Sequence, residues 1–180
     1  MEGISARAGQ QAYTSLLREL ELPEESTQGT VLDLFAGCGG LSLGFEVAGF
    51  KTIGYEKVGK YAETYNRNLS GHCHEVILDT NAQFPRADVV IGGFPCQDYS
   101  VANTLKLSGG LKGKKGVLWW NIEKILREKK SKKPKYLLLE NVDRLLKSPA
   151  SQRGRDFAIM LASLSDLGYG VEWRIINAAD

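Results

Sequence analysis

Apolar residues along this chain form short continuous runs, and the segments between the runs carry apolar positions at helical spacing. Continuous apolar runs are typical of strands buried on both faces of a parallel sheet, and the segments between them are typical of covering helices. The predicted strands cover residues 30–35, 51–55, 75–78, 87–91, 136–139 and 171–176. The predicted helices cover residues 41–48, 60–68, 118–128 and 156–167. The pattern therefore predicts an α/β fold, with a mostly parallel sheet and helices on both faces.

The segment before this alternation is predicted to be a helix followed by a linker. The apolar positions that share one helical face are Tyr13, Leu16, Leu17 and Leu20. We expect this face to dock onto the rest of the chain, because an apolar helical stripe needs a partner. Residues 23–26 have the composition of a linker. The chain is therefore divided into an N-terminal helix and linker over 1–29 and one folded domain over 30–180.

The composition is that of a soluble globular protein, with 43% apolar residues, 24% charged residues and a net charge of +2. A length of 180 residues suits one domain with a substantial core. No apolar run approaches a membrane span, and residues 1–10 lack the pattern of a secretory signal. We therefore expect a cytoplasmic protein with no membrane partner. The net charge is too small to indicate nucleic-acid binding by itself.

The cysteines argue for reduced thiols. Cys38, Cys73 and Cys96 are odd in number and far apart in sequence, which is unlike a disulfide framework. The run His72-Cys73-His74 has the residue types of a metal site, but no second cluster at ligand spacing accompanies it. We therefore expect a solvated loop there and no bound metal.

Glycine-rich and acidic segments follow the carboxyl ends of the predicted strands, where ligands bind in parallel α/β sheets. The turn at 36–40 leads into a helix and offers free backbone amides to the oxygens of a ligand. Glu56 ends the second strand, where an acidic residue can accept hydrogen bonds from ribose hydroxyls. The pair indicates a nucleoside-containing cofactor. The turn lacks the third glycine of the dinucleotide fingerprint, which disfavours a nicotinamide cofactor without excluding it.

Cys96 lies in a turn that directly follows the fourth predicted strand. Pro95 fixes its own φ and favours an extended Phe94, so the turn presents the cysteine at the edge of the sheet. A lone cysteine is also commonly a small core residue. The turn by itself leaves both interpretations, nucleophile and core residue, open.

Three motifs in this order resemble those of the DNA (cytosine-5) methyltransferases. The run DLFAGCGGLS at 33–42 is similar to the family's cofactor loop, PCQ at 95–97 to its catalytic loop, and ENV at 140–142 to its second catalytic motif. Residues 109–118 are similar to a weaker motif between them. The resemblance covers nearly all of the chain after Gly29. It implies a Rossmann-like S-adenosylmethionine-dependent methyltransferase fold, here incomplete at its C-terminus.

The resemblance also implies S-adenosylmethionine as the cofactor. The residues it places at the cofactor are Asp33, Phe35, Ala36, Gly37, Cys38, Gly39, Gly40, Glu56, Asp79, Pro95 and Leu118. It implies that Cys96 adds to C6 of a cytosine flipped out of duplex DNA, while Glu140 protonates or hydrogen-bonds N3. It thereby favours the nucleophile as the role of Cys96.

Polar and basic residues on the catalytic side of the sheet are expected to contact the DNA, mainly at its phosphates. These residues are Gln97, Ser100, Lys112, Lys114, Arg144, Arg153 and Arg155. The densest basic run, at 127–135, leads into the opposite end of the fifth strand. We expect that run to be a solvated loop.

In the family, further segments follow the part that this chain resembles. They include a glutamine- and arginine-containing motif, an antiparallel strand inserted between the fifth and sixth strands, and a target-recognition domain, and none has a counterpart in this sequence. We therefore expect the catalytic portion of a microbial enzyme of a restriction-modification pair, which needs a complementing C-terminal segment or chain. The alternatives are an RNA cytosine-5 methyltransferase and a non-catalytic cofactor-binding subunit.

Overall fold

The chain forms a parallel sheet with helices on both faces. A computed structural model describes residues 22, 28–78, 84–94, 118–129, 132–147 and 152–177. The strands of the described part are β1 (Thr30–Leu34), β2 (Lys51–Glu56), β3 (His72–Glu75), β4 (Val89–Gly93) and β5 (Tyr136–Glu140). They form one sheet in the order β3-β2-β1-β4-β5. The helices are α1 (Gly40–Val47), α2 (Gly59–Asn68), α3 (Leu118–Glu128) and α4 (Arg155–Asp166), with a 3-10 helix at Asp143–Lys147.

Alternate residues of the central strand feed two different layers of the core. Leu32 and Leu34 of β1 pack with Ile122 and Leu126 of α3 on one face of the sheet. Val31 packs with β4 and with apolar residues of α1 on the other face. Because β1 is covered on both faces, its sequence is apolar apart from Thr30 and Asp33. The strand order reverses between β1 and β4, the position at which open α/β sheets form ligand crevices.

The α/β fold predicted from the sequence is confirmed. Four of the predicted strands and all four predicted helices lie where the pattern put them, with ends shifted by one or two residues. The predicted helix over residues 13–20 falls outside the described part of the chain.

The predicted third strand was wrong in position, and so was the loop expected at the His-Cys-His run. β3 is His72–Glu75, not residues 75–78, and it pairs in parallel with β2 from Ile53 to Glu56. Its sequence is polar because β3 is an edge strand with one exposed face. Cys73 alone of its four residues is buried, against Ala62 and Tyr65. A polar edge strand lacks the apolar run that identifies a central one.

Residues 171–176 were predicted to form a sixth strand, but they are not a strand in the structure. The segment is apolar and yet exposed, with 57% of Trp173 and 73% of Ile176 accessible. A strand exists only where its backbone groups find a neighbouring strand. Among the described residues no strand pairs with this segment, and β5 pairs only with β4.

The two edges of the sheet are protected differently. At β3, the Asn66 side chain of α2 bonds both outward backbone groups of Cys73, with its amide donating to the carbonyl at 3.1 Å and its oxygen accepting from the N–H at 2.7 Å. This closes the centre of that edge to further pairing. In the described part of the chain, no such clamp covers β5. A cavity of about 380 Å³ lies beside it instead, lined by Leu137, Leu139, Met160 and Trp173 among others.

The basic run at 127–135 was expected to be a solvated loop, and two of its lysines contradict that. Lys129 Nζ donates to the carbonyls of Phe84 and Pro85 at 3.0 Å, and its partial burial lowers its pKa. Lys133 Nζ donates to the carbonyl of Leu167 and lies 4.9 Å from the centre of the Tyr169 ring. Both side chains attach the α3–β5 connection to the rest of the domain. Their aliphatic stems are long enough to reach backbone carbonyls of other segments.

Candidate active site

The turn between β1 and α1 forms a backbone cradle at the carboxyl edge of the sheet. Phe35, Gly37 and Gly39 all have positive φ, at 65°, 54° and 92°. The free backbone amides expected from the sequence are only partly present, because the N–H groups of Ala36, Gly37 and Gly39 donate to other atoms of the chain. A Cβ placed on Gly37 would meet nothing within 4 Å, so the space above the turn is open. We refer to residues 35–40 as the cofactor turn.

Glu56, at the end of β2, holds the cofactor turn from the side. Its two carboxylate oxygens accept hydrogen bonds at 2.9 Å, one from the Gly37 N–H and one from the Val58 N–H. The side chain is nearly buried. The structure therefore brings Glu56 together with the turn, as the sequence predicted. Its contact with ribose stays a prediction.

Asp33 lies beneath the turn and not on its open side. It is 1% exposed, and its carboxylate accepts a hydrogen bond of 2.7 Å from the Ser42 hydroxyl in the first turn of α1. Burial raises its pKa to about 6, the Ser42 hydrogen bonds act against that rise, and the charge of Glu56 adds to it. Asp33 thus joins the strand before the turn to the helix after it, and direct contact with a cofactor stays a prediction.

The remaining residues predicted in the turn lie on it at different depths. Phe35 and Gly37 are half-buried, Ala36 and Gly39 are buried, and Cys38 and Gly40 are exposed. Leu118 is the first residue of α3. Several predicted residues lie outside the described part of the chain: Asp79, Pro95, Cys96, Gln97, Ser100, Lys112 and Lys114.

Glu140 lies next to the segment that leads to the predicted nucleophile. It ends β5 opposite Gly93 in the parallel register, and a Cβ on Gly93 would lie 2.9 Å from Glu140 Oε2. The next residue, Asn141, donates from its side-chain amide to the Phe94 carbonyl at 2.8 Å. The first two residues of the ENV run, Glu140 and Asn141, therefore contact Gly93 and Phe94, the last described residues before Pro95.

The cofactor turn and the Glu140 region share one edge of the sheet. β1 and β4 are adjacent, with Asp33 opposite Ile91, and a Cβ on Gly92 would clash with the Leu34 carbonyl oxygen. From β2 to β5 the edge presents Glu56, the turn, Gly93 and Glu140 in that order. A parallel sheet collects strand ends in this way, so groups distant in sequence come together.

Three arginines predicted to contact DNA lie on the segments that follow β5. Arg144 is exposed on the 3-10 helix, Arg153 is exposed just before α4, and Arg155 begins α4, where its guanidinium donates to the Gln152 side chain. Their role stays a prediction.

The buried side chains that support the cofactor turn from below were not predicted from the sequence. Tyr65 of α2 is fully buried, and its ring lies below Gly39, where an added Cβ would be 2.8 Å from Tyr65 Cδ2. The available signal was the spacing of Ala62 and Tyr65, which puts both on one face of an otherwise polar helix.

Comparison with known proteins identifies the family. The family model of C-5 cytosine-specific DNA methylases matches residues 29–180. The chain belongs to this family. Among the described residues of the chain, no helix has the length and apolarity to cross a membrane, and no group of three or more potential ligands could hold a metal ion.

The curated relatives are Type II methyltransferases. M.Sau3AI of Staphylococcus aureus is 48% identical over 164 residues, which are 83% of this chain and 39% of that protein. M.AplI of Arthrospira platensis is 39% identical over 168 residues, 92% of this chain and 45% of that protein. The chain therefore spans less than half the length of these two relatives.

A solved structure shows the same fold. The ribosomal protein L11 methylase of Lactobacillus delbrueckii subsp. bulgaricus aligns with a TM-score of 0.52 at 10% identity, covering 96% of this chain and 74% of that one. At this identity the likeness concerns the fold alone. The methyltransferase fold and the cytosine-5 family predicted from the sequence are both confirmed.

Proposed function

We propose that this chain is the catalytic portion of a DNA cytosine-5 methyltransferase that acts through a covalent adduct between Cys96 and C6 of a flipped-out cytosine. The observation that carries the proposal is the position of Glu140, which lies opposite Gly93 and on the same edge of the sheet as the cofactor turn. Cys96 follows Gly93 by three residues. Under this proposal an acid, a nucleophile and the cofactor turn act at one edge of the sheet.

The residues of the cofactor turn fit S-adenosylmethionine. Glu56 borders the turn, where its carboxylate holds the Gly37 N–H and is close enough to accept from a ribose hydroxyl. Open space above Gly37 leaves room for the ligand. When bound, S-adenosylmethionine supplies the methyl group that C5 takes.

Covalent addition explains why the chain needs a thiol and an acid together. C5 of cytosine is a poor nucleophile, so the Cys96 thiolate bonds to C6 and the π electron pair of the C5–C6 bond becomes available at C5. Glu140 protonates or hydrogen-bonds N3, which offsets the charge that the addition places on the ring. After methylation a base removes the C5 proton, and the returning electron pair reforms the double bond as the C6–S bond breaks. A stacked base exposes neither C6 nor N3 to such groups, so the cytosine must leave the duplex.

The exposed arginines after β5 suit contacts with the DNA backbone. Arg144 and Arg153 carry their charges on the side of the sheet where Glu140 ends β5. Contacts of this kind supply affinity that falls with salt and carry no sequence information. We expect Arg144→Ala to weaken binding equally for different duplex sequences.

We further propose that full activity requires a complementing polypeptide that adds a strand beside β5. The cavity next to β5 is lined by apolar side chains from the strand, from α4 and from residues 171–176. Tyr136 and Leu138 of β5 are themselves exposed, as are Trp173 and Ile175 across the cavity. An added strand would bury these groups and pair the open edge of the sheet.

Trapping on duplex DNA that contains 5-fluorocytosine tests the proposed function. Fluorine at C5 cannot leave as a proton does, so the covalent adduct accumulates. We expect an adduct when the chain is mixed with S-adenosylmethionine and with the C-terminal region of M.Sau3AI expressed separately. Cys96→Ala should abolish the adduct, and Glu140→Gln should slow its formation, while Cys73→Ala serves as the control for a thiol outside the site.

An adduct that survives Cys96→Ala would contradict the assignment of the nucleophile. Equal trapping without the added region would contradict the need for a complementing segment. Stronger methyl transfer to transfer RNA than to duplex DNA would favour the RNA alternative.

Gly93→Ala is expected to separate activity from stability. The new Cβ would press against the tip of the Glu140 side chain, which is exposed and free to swing aside. The fold should lose less than about 1 kcal/mol, whereas displacement of the carboxylate should lower kcat by roughly 10- to 100-fold in the complemented enzyme. Gly44→Ala, where an added Cβ meets nothing within 4 Å, is the matched control. Unchanged methyl transfer by the Gly93 variant would contradict the placement of Glu140.

A further inference from the structure

A chain of five buried oxygen-bearing side chains runs beneath the cofactor turn. Ser42 Oγ donates to Asp33 Oδ2 at 2.7 Å, and Thr52 Oγ1 donates to Glu46 Oε1. Tyr65 Oη joins the two halves, at 3.0 Å from Ser42 Oγ and 2.7 Å from Thr52 Oγ1. All five residues are 3% exposed or less. We call this set the oxygen chain.

The oxygen chain contains more hydrogen-bond contacts than hydroxyl hydrogens. Its members make four oxygen–oxygen contacts in series, from Asp33 through to Glu46. A serine, a threonine and a tyrosine hydroxyl each supply one hydrogen, which makes three. With both carboxylates ionised, one contact would therefore place two buried lone pairs against each other. A buried polar contact without a hydrogen is unfavourable, so the chain favours one additional proton on a carboxyl group.

The hydrogen-bond donors around the two carboxyl groups determine which of them carries the additional proton. Three hydrogens already converge on Glu46, one from Thr52 and two from the backbone N–H groups of Ser70 and Gly71 at 2.8 Å. Within the described residues, the hydrogen bonds that Asp33 accepts come from Ser42 alone. A carboxyl group with fewer donors is better placed to hold a proton and to donate it.

We propose that the oxygen chain holds four protons in the ligand-free protein, with the fourth on Asp33, and that Tyr65 is the positioning residue that sets this state beneath the cofactor turn. In this arrangement every contact has one hydrogen. The Asp33–Ser42 contact is reversed relative to the ionised state, with protonated Asp33 donating to Ser42, and each hydroxyl donates to the next oxygen toward Glu46. Tyr65 also supports the turn through its ring, which lies below Gly39.

The neighbouring ionisable groups favour the same arrangement. The groups of the described chain that act on the oxygen chain from outside are Glu56 at the end of β2 and the Cys73 thiol of β3. Both are acidic, so neither stabilises a negative charge on Asp33. Burial, together with the charges of Glu56 and Asp33, raises the pKa of Cys73 to about 12, which keeps that thiol neutral.

Two substitutions should move the titration of Asp33 in opposite directions. Tyr65→Phe removes two contacts and one hydrogen, so the remaining two contacts are satisfied by Ser42 and Thr52 and no further proton is needed. Ser42→Ala removes the donor that stabilises the ionised form. A single buried hydrogen bond corresponds to roughly one pH unit in such a titration. We expect the midpoint to fall by about that amount in the tyrosine variant and to rise in the serine variant.

Carbon-13 NMR of the aspartate carboxyl groups measures the midpoint directly in the 180-residue chain. Tyr61→Phe removes a hydroxyl from the exposed face of the same helix and is the matched control. The proposal is supported if Tyr65→Phe lowers the Asp33 midpoint while Tyr61→Phe leaves it unchanged. It is overturned if Asp33 titrates at or below the usual aspartate value of 3.8, or if both tyrosine variants leave its midpoint unchanged.

The positioning role of Tyr65 has a second readout, which rests on the proposed function. The affinity for S-adenosylmethionine should change with pH at the Asp33 midpoint, and in Tyr65→Phe that change should move with the NMR midpoint. An affinity profile that stays in place while the NMR midpoint moves overturns the positioning role. Absence of cofactor binding at every pH would instead contradict the proposed function, because the NMR titration needs no cofactor.

Discussion

Gly39→Ala is expected to destabilise the chain by roughly 2 to 5 kcal/mol, because it combines backbone strain with overpacking. Gly39 has a φ of 92°, which an alanine adopts only with strain. Its new Cβ would also clash with the Leu69 side chain and lie 2.8 Å from Tyr65 Cδ2. Leu69 can rotate away, but the Tyr65 ring is buried and its hydroxyl is held at two points. Urea unfolding monitored by circular dichroism measures the loss.

Two neighbouring glycines separate the strain from the clash. At Gly37, φ is 54° and an added Cβ meets nothing within 4 Å, so alanine there should lose only about 1 to 2 kcal/mol. At Gly40, which begins α1 without a positive φ and also has open space, alanine should be close to neutral. Equal stability of the alanine variants at 37 and 39 would contradict the packing of Tyr65 beneath the turn.

Raising the pH from about 4 to about 7 is expected to remove about 2 kcal/mol of stability through Asp33. The pKa of this carboxyl is raised from 3.8 to about 6, first by burial, against the Ser42 hydrogen bonds and with the charge of Glu56. Between these two pKa values the folded chain binds more protons than the unfolded chain, so its stability falls as the pH rises. The loss is complete once the pH exceeds the folded value.

Asp33→Asn isolates this contribution from the other titrating groups. The asparagine amide supplies a hydrogen toward Ser42 at every pH. The variant should therefore lack the contribution of Asp33 to the dependence of stability on pH. Unfolding free energies at about pH 4.5 and pH 7.5 give the comparison, and the asparagine chain should gain relative to wild type at the higher pH. Parallel pH profiles for the two chains would contradict the raised pKa of Asp33.

The buried strands could be predicted from the sequence because continuous apolar runs have few alternatives in an α/β pattern. Thr30–Leu34 and Val89–Gly93 are of this kind, and the turn after the first of them is marked by its glycines. The shared edge followed from the same pattern, since parallel strands bring their carboxyl ends together. The positions of Glu56 and Glu140 at this edge could therefore be predicted from the sequence.

The edges could not be predicted, because their structure depends on neighbours and not on local composition. β3 is polar and forms only because β2 offers it a parallel partner, while residues 171–176 are apolar but have no strand beside them among the described residues. The oxygen chain was missed for a related reason. Glu46, Thr52 and Tyr65 come from three different elements, and nothing in their local sequence shows that they meet.

The hydrogen bonds from Asn66 to β3 limit where further strands can pair with the sheet. With the centre of that edge closed by hydrogen bonds to Cys73, the edge that the described residues leave open to further strands is that of β5. Two copies that associate through their sheets must therefore use the same edge of each molecule, which makes the contact isologous. Such a contact closes at two copies, since each sheet then has its other edge clamped. Association of this chain through its sheet should consequently stop at pairs and not extend into fibres.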